Sequence, residues 1–154
     1  MKGVYAIIIK IEKKLELTIG RLGKVCFTPG IYVYSGSAMG QGSTSLENRL
    51  KRHFSESKTI HWHIDYLVAM AKSVKAWYAE SSNRRECELA QEMDKSNKFE
   101  RAIKGFGSSD CKSGCYAHLY KHIGNSDTVS DISKMLPGLQ GNLSTDGKVV
   151  QVEQ

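Results

Sequence analysis

The stretch that decides the fold runs from Gly30 to Phe54 and reads GIYVYSGSAMGQGSTSLENRLKRHF. Aromatic and β-branched residues fill its first part, which predicts a strand over residues 31–37. A glycine- and serine-rich break follows. Thr44 and Glu47 then have the spacing of a capping box, which predicts that a helix begins there. The apolar residues at intervals of four predict which face of this helix is buried, and they are Leu46, Leu50 and Phe54.

A second strand is predicted upstream, where residues 3–11 form the β-branched run GVYAIIIKI. If the two strands pair, Tyr5 and Tyr34 can present both hydroxyls on one face of the sheet. Arg49 and His53 are one helical turn apart and lie beside the apolar stripe, which places them near that sheet. We therefore predict that two phenols, a guanidinium and an imidazole converge.

Such a group of side chains suits the cleavage of a phosphodiester. A guanidinium holds a phosphate through two parallel hydrogen bonds, and a phenolate or an imidazole takes a proton from water. A divalent cation is still needed to balance the charge that develops on phosphorus and on the leaving oxygen. Glu86 and Glu88 are the candidate ligands. Because they are two positions apart on a predicted helix, at most one should point into the site.

The rest of the chain predicts an α+β fold. In chain order we expect extended pieces at 15–19 and 24–27, a helix at about 60–71, a strand at 73–80, a helix from 83 to about 95, a basic loop at 95–114, a last strand at 115–122 and a short helix at about 127–136. Asn83 and Glu86 have capping-box spacing, so Glu86 could cap a helix instead of binding a metal. We divide the chain into a domain of residues 1–123 and a C-terminal extension of unknown role, residues 124–154, with a hairpin at Asp146-Gly147.

Composition limits the classes of function. The chain has 154 residues, 40% of them hydrophobic, which suits one ordinary core. Its 22 basic and 16 acidic residues leave a net charge of +6, which suits a polyanionic partner. No apolar run is long enough for a signal peptide or a membrane span, so we expect a cytoplasmic protein without a membrane partner. Its four cysteines are then expected to be reduced.

Two clusters of metal-ligating residue types remain. His61 and His63 are ligands by type, but on a helix they point in different directions, which favours packing roles. The second cluster consists of Asp110, Cys111, Cys115 and His118. Its cysteines and histidine have the spacing Cys-x-x-x-Cys-x-x-His, which is looser than that of a zinc finger, and a fourth ligand beside these three would have to come from a distant part of the chain. Structural or substrate-contact roles are therefore favoured over zinc.

Four motifs follow one another along the chain: Gly3-Val4-Tyr5, Tyr34-Ser35-Gly36, Leu46-x-x-Arg49-x-x-x-His53 and Glu86-x-x-Leu89. This ordered set resembles the GIY-YIG nuclease superfamily. The segments GIYVYSGSAMGQG, HWHIDYL, ECELA and GFGSSDC look like its mostly archaeal Uri-type endonuclease branch, the archaeal domain of unknown function 123. The resemblance covers about residues 1–122. It implies a small, mainly antiparallel sheet flanked by helices, and hydrolysis with one Mg²⁺ or Mn²⁺.

The resemblance also implies a role for each matching residue. Tyr5 would be the general base and His53 would assist it. Tyr34 would orient water or phosphate. Arg49 would stabilise the charge that develops on phosphorus, and Glu86 would bind the metal.

Two features depart from the pattern of that superfamily. The spacing between Tyr5 and Tyr34 is longer than its usual short hairpin, so we expect an inserted pair of strands. Ser35 replaces the usual isoleucine, which puts a hydroxyl where an apolar side chain is expected. We expect the fold to tolerate both departures, whereas the geometry of the site could change.

The sequence thus predicts a metal-dependent endonuclease that acts on DNA rather than RNA and selects structure rather than sequence. The predicted nucleic-acid-binding residues are Ser37, Lys51, Arg52 and Lys104. The predicted accessory residues are His61, His63, Asp110 and Cys111. One alternative is a nucleic-acid-binding module on the same fold that does not cleave. Another is a metal- or redox-responsive partner protein built on residues 111–118. A DNA-repair partner and the oligomeric state are left open.

Overall fold

A computed structural model describes residues 2–41, 45–54, 62–108 and 111–144. The strands in these ranges are β1 (Gly3–Ile11), β2 (Leu15–Ile19), β3 (Gly23–Phe27), β4 (Gly30–Ala38), β5 (Ser73–Glu80), β6 (Phe99–Arg101), β7 (Leu119–His122) and β8 (Gln140–Ser144). The α-helices are α1 (Leu46–Phe54), α2 (His63–Val68), α3 (Glu86–Lys95) and α4 (Thr128–Met135). Among these residues, no helix has the length and apolar character needed to cross a bilayer.

The main sheet has six strands in the order β6-β7-β4-β1-β5-β8, and every neighbouring pair is antiparallel. β1 lies near its centre and pairs along its length with β4 and β5. In the β1–β4 register, Tyr5 lies opposite Gly36 and Ile7 lies opposite Tyr34. Because directly opposed residues share a face, Tyr5 and Tyr34 lie on the same face of the sheet. The α+β fold and the predicted strand pairing are confirmed.

β2 and β3 form a separate two-stranded sheet between β1 and β4 in the chain. They are the inserted strand pair that the long spacing between the two tyrosines predicts. A short 3₁₀ turn joins them, and Gly23 follows that turn with a φ of 72°, a backbone conformation that favours glycine.

Helices cover both faces of the main sheet. Because alternate side chains of β1 point to opposite faces, they contribute to two separate cores. Tyr5, Ile7 and Ile9 belong to a cluster that includes residues of α1 and α2. The other face contributes Val4 and Ala6 to a second cluster, with residues of α3 and α4. Both clusters are formed mainly by side chains that are almost completely buried.

Several predicted elements differ from the structure, and α2 is shorter than the helix predicted at about 60–71. α3 begins at Glu86 with Arg85 as its N-cap, so the predicted capping box of Asn83 and Glu86 is wrong. The Asn83 amide instead donates to the Ser81 hydroxyl at 3.1 Å in a local turn. β7 is only the second half of the predicted last strand. β6, within the predicted basic loop, pairs with β7, a long-range contact that local pattern does not show.

The start of α1 is described from Ser45 onward. The Asn48 amide donates to the Ser45 hydroxyl at 3.3 Å, and the Arg49 amide donates to the Ser45 carbonyl at 2.9 Å. Ser45 therefore caps this helix. Thr44 of the predicted capping box, the side chains of Glu47 and Phe54, and the predicted hairpin at Asp146-Gly147 lie outside the described part of the chain.

The described part of the predicted C-terminal extension packs on the same sheet as the preceding residues. β8 pairs with β5, and α4 packs on α3. The Asp127 carboxylate caps α4 by accepting from the Ser130 amide at 3.0 Å. Ile132 and Leu136 of this region are fully buried in the second core.

A bidentate ion pair between Arg52 and Asp65 joins α1 to α2. Arg52 donates through Nη1 and Nη2 to the two carboxylate oxygens of Asp65, at 3.0 and 2.9 Å. The Asp65 side chain is 0% exposed and that of Arg52 is 24% exposed. The guanidinium also lies 4.2 Å from the centroid of the Trp62 ring. Because a buried carboxylate is costly without a partner, Arg52 supports the packing of these helices.

We predict that Arg52→Ala lowers the free energy of unfolding by about 3 kcal/mol, because it leaves the Asp65 carboxylate buried and without its cation. The matched control is Lys51→Ala, which removes the neighbouring, exposed cation of α1. This control should change the stability by less than about 0.5 kcal/mol. Urea unfolding of the three proteins measures both values. Equal stabilities of the two variants would contradict the structural role of the ion pair.

Candidate active site

The candidate site is a pocket of about 200 Å³ at the open edge of β4. The ladder between β4 and β7 ends at the pair of Tyr34 and Leu119, so the last part of β4 extends beyond β7. At this edge, side chains from both sheet faces reach one space. Six of the residues that line it are Tyr5, Tyr34, Ser37, Arg49, Trp62 and Glu86.

Tyr5 and His53 form a buried hydrogen-bonded pair behind the pocket. The Tyr5 hydroxyl lies 2.9 Å from His53 Nε2, and both side chains are about 2% exposed or less. Gly36 opposes Tyr5, and a Cβ atom on Gly36 would overlap the Tyr5 ring. His53 Nδ1 lies 3.8 Å from Asp65 Oδ1. The Tyr5 phenol thus contacts the His53 imidazole, which in turn faces the Asp65 carboxylate. These three groups form a row from the pocket to the ion pair between α1 and α2.

Both tyrosines of the site are neutral phenols at physiological pH. Burial raises the pKa of Tyr5 to about 12, and the charge and hydrogen bond of Arg49 oppose that rise. Burial, followed by the nearby Tyr5, raises the pKa of Tyr34 well above its usual value. A phenolate at Tyr5 is therefore disfavoured, and His53 Nε2 is a hydrogen-bond partner that can accept the Tyr5 proton.

Arg49 places a cation at the wall of the pocket. Its Nη1 donates to the Ser37 carbonyl at 3.3 Å, and its guanidinium lies 4.9 Å from the centroid of the Trp62 ring. A guanidinium held in this way can form two parallel hydrogen bonds to one phosphate.

The side chains of Glu86 and Glu88 point in different directions, as their helical spacing predicts. Glu86 lines the pocket, and its Oε2 accepts a hydrogen bond from the Ser37 hydroxyl. Glu88 is 49% exposed and pairs with Arg85 at 2.8 Å. The prediction that at most one of the two glutamates points into the site is confirmed.

Ser35, the departure from the resembled motif, anchors the start of α3. Its hydroxyl is buried and donates to the Glu86 carbonyl at 2.7 Å. An isoleucine at this position could not donate this hydrogen bond. Ser35 therefore fixes the N-terminal end of α3, which carries the candidate metal ligand Glu86.

The other predicted site residues lie in different surroundings. Ser37 is buried in the pocket, and Lys51 is exposed on α1. Lys104 is exposed beside a separate cavity of about 420 Å³. Arg52 is engaged with Asp65, as described above. Of the four predicted nucleic-acid-binding residues, Ser37 alone lines the pocket.

The predicted accessory residues are only partly described. His63 Nδ1 accepts a hydrogen bond from the Gly107 amide at 2.9 Å, which ties α2 to the glycine-containing loop. Cys111 lines the pocket. His61 and Asp110 lie outside the described residues.

Sequence reasoning missed the contributions of Gly107 and Arg84. Gly107 has a φ of 73°, and a Cβ atom there would lie 2.7 Å from Tyr34 Cε1. The loop therefore approaches the Tyr34 ring closely because it has glycine at this point. Arg84 also lines the pocket, and its Nη1 lies 3.9 Å from Glu86 Oε1. The glycine content of the loop was a sequence signal for Gly107. No sequence pattern indicated a role for Arg84.

A cluster of metal-ligating side chains adjoins the pocket. Its members, whose ligand atoms all lie within 4.8 Å of one another, are Cys87, Cys111, Cys115 and His118. Cys87 Sγ lies 3.4 Å from Cys111 Sγ and 3.6 Å from His118 Nε2. The cluster could hold a metal ion. Its fourth ligand, which residues 111–118 lack, comes from α3.

Comparison with known proteins identifies the family. A model described as "Domain of unknown function DUF123" matches residues 4–141. No curated protein matches the chain, and no solved structure does. The matched range includes every described side chain of the pocket and of the cysteine and histidine cluster. The chain therefore belongs to the DUF123 family.

Proposed function

We propose that this protein is a metal-dependent endonuclease of the GIY-YIG type, which hydrolyses phosphodiester bonds in DNA and selects substrates by structure. The observation that carries the proposal is that Tyr5, Arg49 and Glu86 line one pocket, with His53 hydrogen-bonded to Tyr5. The ordered motifs that resemble the Uri-type branch of that superfamily also support it. The cytoplasm, where thiols stay reduced, is its proposed location.

Arg49 is the proposed phosphate-binding residue. Its contacts with Ser37 and Trp62 hold the guanidinium at the pocket wall. Because its charge is permanent, it can stabilise the additional negative charge that develops on the phosphate oxygens during hydrolysis. Tyr34 remains a neutral phenol and can orient a phosphate oxygen or the attacking water by hydrogen bonding.

Tyr5 and His53 are the proposed route for the proton of the attacking water. The Tyr5 oxygen would accept this proton as the Tyr5 hydroxyl donates its own to His53 Nε2, 2.9 Å away. The imidazolium that results would face the Asp65 carboxylate, which is 3.8 Å from Nδ1. This order of events requires no resting phenolate, in agreement with the raised pKa of Tyr5.

Glu86 is the proposed ligand for Mg²⁺ or Mn²⁺. One carboxylate is a suitable donor set for Mg²⁺, because that ion keeps several waters and binds substrate phosphate oxygens. The Ser37 hydroxyl, which donates to Glu86 Oε2, would orient the carboxylate. When bound, such an ion neutralises charge on the reacting phosphate and on the leaving oxygen.

Selection by structure rather than by sequence is proposed from the types of contact. The pocket offers groups that bind phosphate, and phosphate contacts carry no direct sequence information. The net charge of +6 favours a polyanionic partner. DNA rather than RNA is proposed from the resemblance alone. A DNA-repair protein would be a suitable partner for an enzyme of this kind.

A nucleic-acid-binding module without cleavage is the alternative function. The observation that favours it is the burial of Tyr5, which is 2% exposed and has a strongly raised pKa. A cleavage screen over single-stranded, branched and damaged DNA with Mg²⁺ or Mn²⁺ separates the two functions. Binding without cleavage of any substrate would favour the module and overturn the proposed hydrolysis.

The role of Glu86 is tested by Glu86→Gln, which keeps the shape of the side chain and an oxygen that can accept from Ser37. We expect the cleavage rate to fall by at least about a hundredfold, because a neutral amide binds Mg²⁺ poorly. Excess Mg²⁺ or Mn²⁺ should restore part of the rate. Single-turnover cleavage measured against metal concentration gives both effects.

Glu88→Gln is the matched control for this change. It removes a carboxylate from the same helical turn, but one that pairs with Arg85 outside the pocket. Its rate should stay near that of the wild-type protein. Equal losses from the two substitutions would contradict the assignment of Glu86 as metal ligand.

The proton route is tested by Tyr5→Phe, which removes the hydroxyl that contacts His53. We expect a rate loss of about a hundredfold to ten-thousandfold, the usual range for positioned acid–base groups. The control is Tyr32→Phe, because the Tyr32 hydroxyl lies in the same core but donates to the Thr28 carbonyl at 2.7 Å. Single-turnover rates and DNA affinity are measured for both. Retention of full activity by Tyr5→Phe would exclude the route through His53.

A further inference from the structure

We propose that Cys87, Cys111, Cys115 and His118 bind one structural Zn²⁺, and that this ion positions Glu86 at the mouth of the candidate active site. The zinc site is inferred from the geometry of the cluster alone. Its positioning role rests on the proposed nuclease function.

The donor set is typical of zinc. Three thiolates and one imidazole make a soft Cys₃His set, which favours Zn²⁺ over the hard ions Mg²⁺ and Ca²⁺. Zn–S bonds of about 2.3 Å in a tetrahedron place two sulfur atoms about 3.8 Å apart. The observed distances of 3.4 Å between Cys87 and Cys111 and 3.6 Å between Cys87 and His118 are near that value. The largest separation, 4.8 Å, also allows all four donors to reach one ion after a small adjustment.

The same donor count argues for a structural role of the zinc. Catalytic zinc usually has three protein ligands and keeps a position for water, whereas structural sites are closed by four. All four donors of this cluster can reach one ion, and His118 is only 6% exposed.

The ion would connect three segments that form the pocket. Cys87 follows Glu86 in the first turn of α3, and Cys111 lines the pocket itself. The His118 carbonyl accepts from the Ser35 amide of β4 at 2.8 Å, and the His118 amide donates to the Phe106 carbonyl at 2.8 Å. Zinc would therefore tie the start of α3 to β4 and to the glycine-containing loop.

Zinc would add a second anchor to the start of α3, beside the Ser35 hydroxyl. Its N-cap residue, Arg85, makes no side-chain capping hydrogen bond. The Ser35 hydroxyl holds the Glu86 carbonyl, and a zinc ion on Cys87 would fix the adjacent residue. Because Glu86 and Cys87 are consecutive, a shift of the zinc ligand would also move the candidate magnesium ligand. Glu86 would then depend on zinc for its position, although it does not bind that ion.

Zinc content is the primary test, and it requires no nuclease activity. Full-length protein, purified without chelators, should contain about one zinc ion per chain by elemental analysis. Substitution of Co²⁺ should produce the strong visible absorption of tetrahedral thiolate-bound cobalt. Protein with four freely reactive thiols that takes up neither metal, even after incubation with excess metal, would overturn the proposal.

The chain supplies matched variants for this test. Cys111→Ser and Cys115→Ser should each lose most of the bound zinc, whereas Cys26→Ser should keep it, because Cys26 is exposed on β3, outside the cluster. His118→Ala should lose zinc, and His118→Cys should retain it as a four-cysteine site. Near-stoichiometric zinc in every ligand variant would overturn the assignment of these ligands.

The positioning role has its own readout. In the His118→Ala variant, the Mg²⁺ concentration that gives half-maximal cleavage should rise by about tenfold or more, and His118→Cys should restore it, because the loss of groups that orient a metal ligand typically costs about 10–100-fold in metal affinity. An unchanged magnesium requirement in zinc-free, folded protein would overturn the positioning role. Stoichiometric zinc in a wild-type protein that cleaves no substrate would leave the zinc site standing and overturn the nuclease function.

Discussion

The register between β1 and β4 is the constraint on which the rest of the structure depends. It sets Tyr5 opposite Gly36, and the missing side chain of Gly36 leaves room for the Tyr5 ring to reach His53. A slip of one residue would turn Tyr34 to the opposite face relative to Tyr5. Burial of alternate β1 residues in two separate cores opposes such a slip, because each core would receive the wrong side chains.

Buried polar contacts then position the helices around this strand pair. The ion pair of Arg52 and Asp65 joins α1 to α2, and the Ser35 hydroxyl holds the first carbonyl of α3. Such contacts are directional and costly to leave unsatisfied, so they restrict how each helix can sit on the sheet. Because β7 ends before β4 does, groups from both faces of the sheet can meet at one edge.

The start of α3 brings the two proposed metal sites close together. Glu86 offers oxygen toward the pocket, while Cys87 offers sulfur toward the loop and His118. Consecutive helical residues point in different directions, so the two sites can be adjacent and still separate. Hard and soft donors would keep Mg²⁺ and Zn²⁺ in their own sites. In this arrangement the proposed structural ion would support the geometry of the proposed reaction.

By itself the sequence determined the local elements and the group of residues near the pocket. Periodicity predicted β1, β4, β5 and the helices, and helical spacing separated Glu86 from Glu88, because these signals act over a few residues. Only the tertiary structure decided which distant groups meet. Cys87 as the fourth ligand and Asp65 as the partner of Arg52 depend on contacts between elements far apart in the chain. Such contacts cannot be inferred from spacing in the sequence, because the packing of whole helices and strands brings these side chains together.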